Sequence, residues 1–136
     1  MERALEQLVW DRAHSWCEYC HIPQDYDGFV HEIDHVIAKK HGGSEVAGNL
    51  ALACFPCNNH KGPNIAGLDP LTKKLTPLFN PRRHKWASHF RWKGPYLVGK
   101  TAMGRVAVAV LEINSSERVL LRQALIDEGI FPTPAS

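Results

Sequence analysis

Residues 32–62 read EIDHVIAKKHGGSEVAGNLALACFPCNNHKG, and the fold turns on this stretch. It opens on β-branched and aromatic neighbours, so Phe29 to Ile37 reads as a strand or hairpin arm that ends at the turn His41-Gly42-Gly43. A second ordered run starts near Ser44 and continues through Asn49-Leu50-Ala51-Leu52-Ala53 into Cys54-x-x-Cys57, and residues 57–61 begin a helix that Gly62-Pro63 stops. Upstream, CEYCHIPQDYD at 17–27 holds a second pair, Cys17-x-x-Cys20, with turn formers after it. Two such knuckles bring four thiolates together, which suits a closed tetrahedral Zn²⁺ site made by Cys17, Cys20, Cys54 and Cys57. A thioredoxin-like redox pair needs one Cys-x-x-Cys at the mouth of a βαβ unit, not two bracketing a strand that carries histidine. With all four positions taken by sulfur, no site remains for water. This zinc is expected to stabilise the fold and not to catalyse.

Working outward, 136 residues suit one domain with a modest core. No apolar run approaches the roughly twenty residues of a membrane span, and the amphipathic start MERALEQLVWDRAH lacks the apolar centre of a signal peptide. A soluble, cytoplasmic protein is expected, where reduced cysteines favour a metal over disulfides. The net charge of +2 conceals a segregation. Residues 1–69 carry ten acids against five Lys and Arg, whereas residues 70–111 carry nine Lys and Arg and no acid. A solvated basic face or a polyanionic partner, nucleic acid above all, accounts for such a stretch.

Within residues 15–62 the resemblance becomes specific. Asp34-His35, then Gly42-Gly43, Asn49-Leu50, Cys54-x-x-Cys57-Asn58 and Lys61-Gly62 resemble the HNH endonucleases of the ββα-metal superfamily in order and spacing, in an H-N-N variant. The resemblance implies His35 as general base, Asp34 and Asn58 as ligands of a catalytic Mg²⁺ or Mn²⁺, and Asn49 as the residue that ties the loop to the strand and orients the histidine. The residue types suit that chemistry. Attack of water on a phosphodiester near neutral pH needs a proton acceptor, which neutral imidazole supplies, and the developing charge needs a hard cation on oxygen ligands. Adjacent strand residues point to opposite sides, so Asp34 and His35 share one site only where the backbone bends or the substrate crosses the strand end. Lys39, Lys40 and Lys61 are candidates for phosphate contact, while His41 and His60 fall on no motif position. The expectation is hydrolysis of DNA; the rival is a zinc-stabilised nucleic-acid-binding module without cleavage.

The remainder reads as an α+β frame around that core. Leu5, Leu8, Val9 and Ala13 share one face of an N-terminal helix within 1–14. Residues 63–100 form a basic extension: a turn-rich connection, a helix started by Asn80-Pro81, and a hairpin around Gly94-Pro95. Arg82, Arg83, Lys85 and Arg91 are its candidates for the DNA backbone, with Trp86 and Phe90 as core. A helical cap, 101–136, follows: Thr101 caps one helix, and Asn114 with Glu117 forms a capping box for the last, closed by Gly129.

Overall fold

Leu50–Ala53 is wholly buried on both faces, and its length and small side chains allow elements to close on it from either side. It forms β2, paired antiparallel with β1 (Glu32–His35) in the register Glu32↔Ala53 to His35↔Leu50. Leu50 and Leu52 pack against Val9 and Ala13 of the N-terminal helix α1 (Arg3–Arg12). Arg12 fixes that helix by donating to the Ala47 and Leu50 carbonyls at 3.0 and 2.7 Å. Helix α2 (Phe55–Lys61) leaves β2 through Cys54, whose sulfur accepts from the Cys57 N–H, and packs on β1 to complete a ββα unit. This computed structural model describes residues 1–132, so residues 133–136 of the expected helical cap lie outside the described part.

The expected strand over Phe29–Ile37 shortens to four residues because Phe29 and Val30 are exposed, and the Gln24 side chain takes up the Phe29 carbonyl and the His31 N–H. The turn-rich connection holds an unexpected hairpin, β3 (Ala66–Leu68) with β4 (Leu75–Pro77). Asn80-Pro81 does not start a long helix. The Asn80 side chain accepts from the Arg82 N–H, its own N–H donates to His84 Nδ1, and Lys85 is extended, so only one turn, α3 (Trp86–His89), follows. The hairpin around Gly94-Pro95 forms as β5 (Phe90–Lys93) and β6 (Tyr96–Gly99).

Helix α4 (Ala102–Val110) starts at Thr101, whose hydroxyl accepts from the Gly104 N–H at 3.1 Å. A Cβ on Gly104 would lie 2.1 Å from the His89 carbonyl oxygen, so only glycine lets α4 sit this close to the α3–β5 corner. The capping box is not made: Ser115 precedes α5 (Ser116–Asp127), and Asn114 instead pairs with both backbone groups of Leu97 at 2.9 Å. The larger of two core clusters joins the knuckles to the extension. Tyr19, Ile22 and the four cysteines share it with Phe79, Phe90, Leu97, Val106, Leu111 and Ile113, so the extension packs directly on the knuckles. No helix of the described residues is long and apolar enough to cross a membrane.

Candidate functional site

The cysteines converge first. The sulfurs of Cys17, Cys20, Cys54 and Cys57 all lie within 4.8 Å of one another and are buried, and among the described residues they are the one such group of His, Cys, Asp or Glu. Each knuckle folds back on itself, with the Cys20 N–H 3.4 Å from Cys17 Sγ and the Cys57 N–H 3.5 Å from Cys54 Sγ. Hydrogen bonds from the other three sulfurs hold the Cys20 thiol well below its ordinary value against its burial. The same contacts, with burial, push Cys57 well above. Without a cation the cluster therefore favours one thiolate and penalises others; a dication removes the penalty, which is why this donor set fits zinc. Arg118 and Arg122, four apart on α5, are buried within electrostatic reach of these sulfurs, and Arg118 also pairs with Asp27 at 2.8 Å.

The second arrangement is an open cleft of about 320 Å³ where β1 meets α2, lined by Asp34, His35, Lys39 and Asn58 among others. The backbone thus brings the implied base and both implied ligands to one place, although they stand on two elements. Asp34 is buried and doubly engaged: Tyr19 Oη donates to it at 2.7 Å and Lys61 Nζ at 3.1 Å. Burial, reinforced by the Asp34 charge, pushes the Tyr19 phenol well above its ordinary value, so it remains a donor. Asn58 donates its amide to Glu32 Oε1 at 3.1 Å. His35 Nε2 lies 3.3 Å from Glu45 Oε1, an ion-pair distance without hydrogen-bond alignment, and Lys39 Nζ lies 3.5 Å from the same oxygen. Desolvation pushes the Glu45 carboxyl up, but attraction by Lys39 and the chain's amino group outweighs it and leaves it below the usual value.

Asn49 stands outside the cleft and works on the backbone. Its oxygen accepts from the Ile37 N–H at 2.9 Å, and its amide donates to the carbonyls of Ile37 at 3.0 Å and Ser44 at 2.9 Å. The loop after β1 is thereby closed on itself, and Gly43 is required there because a Cβ would meet the Ile37 carbonyl oxygen at 1.7 Å. Among the described residues no hydrogen bond joins the Asn49 side chain to His35; its side-chain hydrogen bonds all go to the loop backbone.

The candidate phosphate contacts divide. Lys40, Arg83, Lys85 and Arg91 are exposed, as is Lys39 at the cleft. Lys61 is corrected: it is 1% exposed, held by Asp34 and the His35 carbonyl, and so is not a free surface cation. Arg82 is paired with Glu18, whose second oxygen accepts from the Leu52 N–H. His41 is exposed and His60 pairs with Glu112 at 2.8 Å, so neither joins the cleft. Trp86 and Phe90 pack in the core as expected, with Trp86 Nε1 donating to the Tyr19 carbonyl.

Three contributors escaped the sequence. Glu32 had a signal, since it lies two residues before Asp34 and so on the same strand face. Glu45 and Tyr19 had none: one reaches the site from a loop, the other from inside a knuckle.

Residues 17–64 match the family model for HNH endonuclease. Septu protein PtuB of Bacillus thuringiensis is 26% identical over 131 residues, an alignment that covers 95% of this chain and 48% of that protein. The chain thus spans about half the length of this curated relative. No solved structure matches the chain.

Proposed function

We propose, from the premise that residues 17–64 are an HNH endonuclease domain, that this protein hydrolyses phosphodiester bonds in DNA using one divalent cation at the β1–α2 cleft. The observation that carries the proposal is the meeting of Asp34, His35 and Asn58 in one solvent-open cleft. Roles follow from their partners. With Nε2 turned toward Glu45, His35 offers Nδ1 as the nitrogen that takes the proton of the attacking water. Tyr19 and Lys61 hold the Asp34 carboxylate in place from within, and Glu32 occupies the Asn58 amide nitrogen, which leaves the amide oxygen as the donor atom. An oxygen-only donor set of this kind fits Mg²⁺ or Mn²⁺, which when bound supplies positive charge to the phosphate and the leaving oxygen. Lys39 offers an exposed cation beside it. The exposed Arg83, Lys85 and Arg91 fit sequence-independent contact to the backbone, with the salt sensitivity that such contacts bring.

The other reading, a zinc-stabilised nucleic-acid-binding module without cleavage, draws on one observation: Lys61 already neutralises Asp34. Supercoiled plasmid incubated with the zinc-loaded protein and Mg²⁺, or separately Mn²⁺, decides between them. Nicking or linearisation is expected, with a loss of about 10²–10⁴-fold in His35→Ala at unchanged zinc content. An inert wild type that still binds DNA in a salt-sensitive manner establishes the binding module instead.

A further inference from the structure

A second and larger cleft, of about 490 Å³, shares no lining residue with the first. One wall is the end of α1 and the first knuckle, the other is the stretch 79–87 of the basic extension. Its volume is that of a small-molecule site, for which about 300–1,000 Å³ is usual. Three permanent cations line it, Arg12, Arg82 and Lys85, against one carboxylate, Glu18, which is already occupied by Arg82 and the Leu52 N–H. Two guanidinium nitrogens here, Arg12 Nε and Arg82 Nη1, are buried with no hydrogen-bond partner among the described residues. Both arginines thus keep unmet donor capacity behind the cleft wall, as Arg118 and Arg122 do elsewhere.

The remaining wall is aromatic. His14 and Trp16 lie 5.7 Å apart between ring centroids, Trp16 and His21 6.4 Å, and His21 stacks on Trp86 at 4.1 Å. Trp16 and Trp86 are only half-buried, so ring surface remains open. The backbone that carries this wall is fixed from behind: His14 and Ser15 take left-handed φ values of 54 and 59° where they cap α1, with the Ser15 N–H on the Trp10 carbonyl, and His21, at 65°, closes the first knuckle on the Cys17 carbonyl.

We infer that this cleft is a nucleotide-binding site, separate from the cleavage site, which takes the base against the Trp16 and Trp86 wall and the phosphate on Lys85 and Arg82. Cations beside open indole rings match a planar base joined to an anion better than either part alone. The nucleotide is a free mononucleotide or the 5′-terminal nucleotide of a strand; both present the same base and phosphate. The inference does not depend on cleavage, because it concerns none of the residues of the β1–α2 cleft.

The test uses zinc-loaded full-length protein without added Mg²⁺, titrated with AMP, ATP, adenosine, inorganic phosphate and a 5′-phosphorylated tetranucleotide. Indole ¹⁵N–¹H resonances of the four tryptophans are followed, assigned by single Trp→Phe variants. The expected result is saturable movement of the Trp16 and Trp86 signals with Trp10 unmoved, and affinity for AMP about tenfold or more above adenosine or phosphate alone. Lys85→Glu, at an exposed position, should weaken AMP by about tenfold with zinc content intact, and Arg82→Gln should do the same. Competition by the tetranucleotide as strong as by AMP assigns the site to strand ends; binding of mononucleotides alone assigns it to free nucleotide. The inference is overturned if no nucleotide moves Trp16 or Trp86 at millimolar concentration, if adenosine binds as well as AMP, or if Lys85→Glu leaves the affinity unchanged.

Discussion

The cysteine cluster and the β1–α2 cleft are two places where chemistry-bearing side chains converge, and they are finished to different degrees. The cluster is buried, its four donors are chemically identical, and they already face one another within 4.8 Å. Among the described residues those sulfurs take hydrogen bonds only from one another and from the folded-back N–H groups of Cys20 and Cys57. In the cleft, Asp34 is engaged by Tyr19 and Lys61 and the Asn58 amide nitrogen by Glu32, while His35 Nε2 lies beside Glu45 without a hydrogen bond. A closed site is completed by its metal and becomes part of the fold. An open site keeps its groups oriented and charge-balanced until substrate and ion arrive, so its partners carry information about function that the donors alone do not.

The largest effect should break the cluster. Cys54→Ser, or a strong chelator on the wild type, removes a site whose metal contributes on the order of 10 kcal/mol to folding in small zinc domains. The knuckles sit in the core cluster shared with Phe79, Phe90 and Leu97, so the basic extension as well as residues 17–64 should lose cooperative thermal unfolding. Circular dichroism together with zinc stoichiometry reads this out, with one zinc per folded chain. A variant that melts as the wild type does would show that the cluster is no staple.

A smaller effect separates the two sites. Lys61→Met leaves Asp34 buried at 4% exposure with Tyr19 alone, and an uncompensated buried charge of this kind costs about 3–5 kcal/mol. If the cleft binds a divalent ion through Asp34, added Mg²⁺ or Mn²⁺ should restore a good part of that loss in Lys61→Met and add little to the wild type. A melting temperature that falls and does not respond to either ion would make the Lys61–Asp34 pair a structural element and remove Asp34 from the set of ligands.

What the sequence disclosed follows the same division. The knuckles, β2, α2 and the positions of Asp34, His35, Asn49 and Asn58 were legible because they are written as short spacings along one stretch of chain. The β3–β4 hairpin was not. Its strands are three residues each, and it is held from outside, by Arg105 of α4 on Asp69 at 2.8–2.9 Å and by Gly67 lying where a Cβ would strike Val110 at 2.8 Å. Asn80-Pro81 carries a valid local helix signal that the His84 and Lys85 geometry overrides, and Asn114 forsakes a capping box for the backbone of Leu97. Lys61 read as a surface lysine because nothing in its neighbourhood announces that Asp34, 27 positions away, will bury it. Local patterns predict local structure; the partners that tune the cleft come from contacts distant in sequence.

Glu45 gives the finest test of that point, since it is exposed, lies in a loop and belongs to no motif. Its carboxylate lies near both His35 Nε2 and Lys39, so Glu45→Gln keeps the shape and removes the charge that favours the proton on Nε2. The pair is partly exposed, which keeps the expected effect small, about three- to tenfold in the rate of plasmid cleavage. The split of the loss is the sharper reading. Glu45 faces the histidine and not the bound strand, so Glu45→Gln should lower kcat and leave KM and zinc content unchanged. A rise in KM alone would assign Glu45 to substrate contact, and an unchanged rate would leave His35 oriented only by the loop that Asn49 closes.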